Sequence, residues 1–185
     1  MRLFVAIDLP EMVKDHLESL QSRLPTARWV RRQQMHLTLF FLGETERIQG
    51  IKDALASIEA PAFALTLAGV GRFPKRQKQP PRVLWVGIDD EPALAQLHQK
   101  ITTALAEIGV KPEDRPFSPH ITLARLNTRE PLPEVDAFLN SHSAFQVPSI
   151  SIHEFVLFSS VLSPQGPRYE RETIFALTAN RCQTG

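Results

Sequence analysis

The sequence predicts an α+β protein of two pseudo-symmetric lobes, with antiparallel-rich sheets flanking a central cleft and helices on the outside. Three observations carry this expectation. Strand-length apolar runs alternate with helical patterns, the same order of elements recurs in both halves, and a His-x-Thr triplet occupies the corresponding place in each. With 185 residues, 43 % hydrophobic and 22 % charged, the chain has ordinary globular composition and enough length for a substantial core. One bilobal domain over residues 1–185 is expected.

RLFVAID, residues 2–8, reads as a buried strand, and Pro10 with Glu11 opens a helical pattern through Val13, Leu17, Leu20 and Leu24 that Pro25 closes. MHLTLFFLG, from Met35 to Gly43, is a β-rich apolar run. A second helical pattern through Ile48, Ile51, Leu55 and Ile58 stops before Pro61, and a strand from Phe63 to Val70 completes this half. The second half repeats the order with a strand from Arg82 to Asp89, a helix through Leu94, Leu97, Ile101, Leu105 and Ile108, then HITLAR from His120 to Arg125. A short helix from Glu134 to Leu139 and a strand from Phe145 to Ile152 follow. EFVLFSSVL and Thr173 to Leu177 remain as closing strands within residues 153–177. Phe4 to Asp8 aligns with Trp85 to Asp89 at an offset of 81, the triplets align at 84, and Phe63 aligns with Phe145 at 82. These landmarks define an internal repeat of roughly residues 2–70 and 82–152.

On a strand, residues i and i+2 share a face, so His36 projects with Thr38 and His120 with Thr122. Each polar pair interrupts an apolar strand, and a buried imidazole or hydroxyl without a partner costs about 1–3 kcal/mol. A polar ligand is therefore expected between them. A phosphodiester needs a base to activate the attacking oxygen and an acid to protonate the departing one. Imidazole, with an unperturbed pKa of about 6.5, fills either role near neutral pH. The threonine hydroxyls can donate to nonbridging oxygens, which makes Thr38 and Thr122 the candidate phosphate-binding residues. The near equivalence of the two triplets leaves acid and base unassigned at this level.

HLTLFFLG and PFSPHITLAR, with the opening RLFVAID, resemble the signatures of the 2H phosphoesterase superfamily. Within it they resemble the bacterial RNA 2′,3′-cyclic phosphodiesterases of the 2′-5′ RNA ligase family, over nearly the whole chain. The resemblance implies a bilobal α+β fold and the opening of a 2′,3′-cyclic phosphate, on RNA or on a small nucleotide, to a 2′-phosphate without metal or cofactor. It also implies that His36 gives a proton to the 3′ leaving oxygen and that His120 accepts one from water. Reversible 2′-5′ ligation of RNA ends would use the same acid and base, and a non-catalytic module that binds RNA ends is an expectation of a different class.

Three further residues are candidate substrate contacts. Arg125 lies three positions beyond Thr122, and regular pleating points it away from the histidine face unless a bulge redirects it. Phe40 shares the parity of His36, with core packing as its structural alternative. Tyr169, the only tyrosine, follows the turn Pro164-Gln165-Gly166-Pro167. GRFPKRQKQPPRV, residues 71–83, reads as an exposed basic loop or an arm for RNA phosphates. The other four histidines, His16, His98, His142 and His153, lack a Thr at i+2 and show no metal-ligand spacing, so they are expected at the surface or in packing. No P-loop, dinucleotide fingerprint or Cys-x-x-Cys occurs, so ATP, NAD and zinc are not implied. A net charge of +1 argues against broad coating of a nucleic-acid duplex. The single cysteine, Cys182, has no partner within the chain, no membrane-length apolar run occurs, and the N-terminus lacks secretory features. A cytoplasmic protein is expected.

Overall fold

The computed structural model describes residues 1–163 and 166–179. Cys182 and the turn residues Pro164 and Gln165 lie outside them. In chain order the elements are β1 (Arg2–Asp8), α1 (Glu11–Glu18), β2 (Ala27–Trp29), β3 (His36–Glu44), α2 (Ile48–Ala56), β4 (Phe63–Phe73), β5 (Val83–Ile88), α3 (Pro92–Glu107), β6 (His120–Leu126), α4 (Pro133–Ser141), β7 (Gln146–Ile152), β8 (Glu154–Ser163) and β9 (Gly166–Ala176), with a 3-10 turn at Arg32–Gln34. The fold is α+β, with a curled antiparallel sheet of half-barrel form.

The strands run in the order β7-β4-β5-β6-β3-β1-β8-β9, and β2 adds to β6. Thus β6-β5-β4-β7 mirrors β3-β1-β8-β9, and the two halves join through the pair Leu37 and Ile121, the middle residue of each triplet. Two of the three repeat landmarks fall at matching positions of this sheet, and the third does not. Phe63 of β4 and the strand after Phe145, β7, are direct neighbours in one half, with Phe63 opposite Ile152 and Ala68 opposite Gln146. The partner of β1 that corresponds to β4 is β8. The halves of the sheet therefore do not follow the halves of the sequence, because long-range strand pairing outweighs chain order.

The pleat sorts the side chains of the strands onto two faces. Leu3, Val5 and Ile7 of β1 join Leu37, Leu39, Ile121 and Leu123 in one core that also takes Val13 and Leu17 of α1, Ile51 and Leu55 of α2, and Leu94, Leu97, Ile101 and Leu105 of α3. Phe4 and Ala6 point the other way and form a small cluster with Val156 and Phe158, against which Tyr169 packs. This second face is the open one, and it carries the histidines.

Several boundaries differ from the sequence reading. Helix α1 ends at Glu18, where the Ser19 hydroxyl donates to the His16 carbonyl at 2.6 Å, so Leu24 packs on the core from outside the helix. β4 continues to Phe73 because β5 pairs with it as far as Phe73 opposite Val83. β9 begins at Gly166 rather than Thr173, since β8 offers it a ladder along its whole length. Tyr169 consequently sits within a strand.

Candidate active site

The register of four strands builds the site. With Leu37 opposite Ile121 in an antiparallel pair, His36 of β3 faces Thr122 of β6 and Thr38 faces His120. The histidines occupy one diagonal of a square and the threonines the other, about 7–8 Å corner to corner at the backbone. The flanking strands extend both rows, with Asp8 beside His36, Ala6 beside Thr38, Trp85 beside Thr122 and Gly87 beside His120. Small residues thus border one row, and Asp8 with the large ring of Trp85 ends the other.

Each ring is fixed by the same local bond. His36 Nδ1 lies 2.7 Å from the Gln34 carbonyl and His120 Nδ1 lies 2.8 Å from the Ser118 carbonyl, in both cases two residues back. A carbonyl only accepts, so Nδ1 carries the proton in both rings and Nε2 is left for chemistry. Among the described residues neither the Thr38 nor the Thr122 hydroxyl has a protein hydrogen-bond partner, which leaves both free to donate to a ligand.

Aromatic rings back both histidines. The His36 ring centroid is 4.9 Å from Phe4 and 5.4 Å from Tyr169, the latter edge-on. His120 stands edge-on to Phe73 at 5.1 Å, with Trp85 at 6.4 Å. Burial among these rings pushes His36 down to about 4. Its bond to the Gln34 carbonyl and the Asp8 carboxylate act against the shift, whereas the charges of His120 and Arg125 add to it. Asp8 is itself held by Lys14 at 3.1 Å and Arg171 at 3.4 Å. Burial also raises Tyr169, so its hydroxyl stays protonated and able to donate.

A bulge in each triplet strand decides which residues accompany the histidines. Val5 opposes Phe40 while Ala6 opposes Thr38, so Leu39 is the extra residue in β3. Leu84 opposes Ala124 while Trp85 opposes Thr122, so Leu123 is the extra residue in β6. A bulge reverses the pleat beyond it. Phe40, a candidate substrate contact for which core packing is the favoured reading, is turned into the main core at 6 % exposure and is not at the site. Phe41 takes its place on the open face, 48 % exposed and 6.1 Å from Phe4. By the same device Arg125 is brought to the histidine face and is exposed. Tyr169 lies at the site beside His36.

Sequence reasoning missed Phe4, Phe41, Phe73, Trp85 and Phe158. A signal existed for Phe4 and Trp85, which begin the two matched strand words. The basic loop also divides. Arg72 is buried, and its guanidinium donates to the Pro74 carbonyl at 3.1 Å, to that of Arg76 at 3.2 Å and to that of Gln79. Arg72 thus folds the loop rather than reaching outward, while Lys75, Arg76 and Lys78 are exposed. His98 stacks on Phe117 at 3.8 Å, a packing role as expected. Among the described residues no group of three or more His, Cys, Asp or Glu is placed to hold a metal, and no helix is long and apolar enough to cross a membrane.

The chain as a whole is similar to known proteins. The sequence profile of the 2′-5′ RNA ligase superfamily matches residues 9–160. An RNA 2′,3′-cyclic phosphodiesterase of Thermotoga maritima is 35 % identical over 178 residues, 92 % of each chain. Among solved structures, a Thermus thermophilus protein superposes with a TM-score of 0.78 at 30 % identity, covering 97 % of this chain and 100 % of its own. Escherichia coli LigT, solved with 3′-AMP, gives a TM-score of 0.75 at 29 % identity over 96 % and 98 % of the two chains.

Proposed function

The chain belongs to the 2′-5′ RNA ligase superfamily, and on that premise we propose that it hydrolyses the 2′,3′-cyclic phosphates of RNA ends or nucleosides to 2′-phosphates, in the cytoplasm, by two-histidine catalysis without metal. The carrying observation is the square of two histidines and two threonines, centred on the Leu37 and Ile121 pair. A phosphate at its centre meets an Nε2 on two opposite sides and a hydroxyl donor on the other two.

In this reading His120 Nε2 takes a proton from water as the water oxygen bonds to phosphorus. The bond from phosphorus to O3′ breaks, and O3′ receives the proton held on His36 Nε2. The product keeps its phosphate on O2′. His120 ends protonated and His36 neutral, and exchange with solvent resets both. Thr38 and Thr122 hold the nonbridging oxygens, where charge accumulates in the transition state. Arg125 and Tyr169 contact the substrate from the rim. Its own surroundings push His36 down to about 4, unsuited to giving a proton at neutral pH. A bound phosphate anion favours the imidazolium, so substrate itself charges the acid.

The relatives' activity supports this reading, because RNA 2′,3′-cyclic phosphodiesterases from several organisms match over most of both chains. The decisive test is incubation with adenosine 2′,3′-cyclic phosphate in EDTA, with chromatographic separation of the product isomers. Adenosine 2′-phosphate is expected from the parent and none from His36→Ala or His120→Ala. Exclusive formation of the 3′-phosphate would refute the proposed direction of opening.

A further inference from the structure

Three residues along β6 from Thr122, strand pairing sets two arginines opposite one another. Arg28 of β2 lies directly opposite Arg125 of β6. The bulge at Leu123 has already turned Arg125 onto the histidine face, so Arg28 shares that face. Like charges directly opposite on an antiparallel pair are destabilising. Two other guanidinium groups are neutralised: Arg32 meets Glu11, Asp15 and Glu18, and Arg171 meets Asp8 and Glu154. Among the described residues Arg28 and Arg125 are both exposed, with neither an ion pair nor a side-chain hydrogen bond.

The pair is held in place. The Val30 N–H donates to the carbonyl of the bulged Leu123 at 2.8 Å, and Trp29, between Arg28 and Val30, donates its indole N–H to the Ser22 carbonyl at 2.9 Å. Trp29 also stands edge-on to Phe138 at 5.9 Å. β2 is thereby anchored from the core side, and its arginine projects from the other. Two unneutralised forks on one ladder suit a single anion that offers two oxygens, and a phosphate group, monoester or diester, does so. From Thr122 to Arg125 is about 10 Å of extended strand, a span that one ribose and a long arginine side chain close.

We propose that Arg28 and Arg125 form a second anion subsite, which takes the 5′-phosphate of the nucleotide whose 2′,3′-cyclic phosphate occupies the His-Thr square. This rests on the cyclic phosphodiesterase reading and narrows it. The preferred substrate carries phosphate at both ends of its terminal ribose, as the 3′ end of an RNA strand does, and a nucleoside cyclic phosphate with a free 5′-hydroxyl is the poorer one.

The test compares adenosine 2′,3′-cyclic phosphate, its 5′-phosphorylated form, and the dinucleotide ApA ending in a 2′,3′-cyclic phosphate, each with the parent, Arg28→Gln and Arg28→Lys. In the parent, KM for both 5′-phosphorylated substrates is expected about tenfold below that of the unphosphorylated nucleotide, the size of one good charge-assisted contact. In Arg28→Gln the KM ratio falls to within about twofold of one, and Arg28→Lys, which keeps the charge but not the fork, retains only part of it. Equal KM values for the three substrates in the parent overturn the inference whether or not the variants fold. A gain confined to the dinucleotide also overturns it, since the upstream nucleoside would then be the group recognised. A ratio unchanged in Arg28→Gln removes Arg28 from the subsite. Turnover of the unphosphorylated nucleotide by the parent reads the activity separately: turnover without a 5′-phosphate effect sinks only this inference, and no turnover of any substrate sinks the activity and the inference together.

Discussion

At the scale of single residues, the two histidines are equivalent in sequence and unequal in surroundings. His36 is enclosed by Phe4 and Tyr169, with Phe158 at 6.5 Å, and is pushed to about 4. Its folded value lies below the unfolded value of about 6.5, so the unfolded chain takes up this proton first as pH falls. The contribution to stability is intact above about pH 6.5 and is lost as pH drops toward 4. Between pH 7 and 5 we expect a loss of about 1 kcal/mol, reduced from the full shift because the ring is only partly buried. Urea denaturation of the parent and His36→Asn at the two pH values should show a smaller loss in the variant; equal losses would exclude His36 as the source. NMR titration of the His36 ring should find a value near 4 in the free protein that rises when adenosine 2′-phosphate binds. A value that does not move would rule out the charging of His36 by substrate, and with it the proposed acid. For the threonines, Thr38→Val and Thr122→Val should each lower kcat about 10- to 1,000-fold, as loss of one transition-state donor does, while leaving the fold intact by circular dichroism.

At the scale of elements, the bulges at Leu39 and Leu123 are the devices that complete the site. They invert the pleat just past each triplet, so that Phe41 and Arg125 lie on the open histidine face while Phe40 and Ala124 enter the core. The hairpin of β4 and β5 depends on a close approach. A Cβ on Gly71 would lie 2.2 Å from the ring carbons of Trp85, so no side chain fits while the indole stays beside His120. Gly71→Ala should displace Trp85 and cost about tenfold or more in kcat/KM. Trp85 fluorescence provides an independent readout, and a variant with parental emission and activity would dismiss this contact. The regular patterning of β1, β3, β5 and β6 made these strands readable in the sequence. β2, at three residues, has too little periodicity to be read, and Arg28 was missed with it.

At the scale of the whole molecule, the two halves of the nine-stranded sheet meet where Leu37 opposes Ile121, and both side chains are fully buried. The site straddles this junction, so its geometry depends on how the halves are packed together. Ile121→Ala should cost about 2–5 kcal/mol in urea denaturation and lower kcat more than it raises KM, because it loosens the square. A stability loss with parental kcat would show that the junction does not set the catalytic geometry. Activity is expected to survive exhaustive chelation, since histidines carry both proton transfers in this scheme.

The sequence by itself determined the α+β class, most of the strands, and the four polar side chains of the square. Local periodicity, motif spacing and an internal repeat are properties of neighbouring residues and can be read along a chain. Strand partnership is not local, and only the tertiary structure decided that β4 pairs with β5 and β7, which crosses the halves of the repeat. Nor does local sequence disclose an extra residue in a ladder, because a bulge is defined by the partner strand. Such single-residue shifts placed Arg125 at the site and moved Phe40 into the core, and the register of β2 on β6 set Arg28 opposite Arg125.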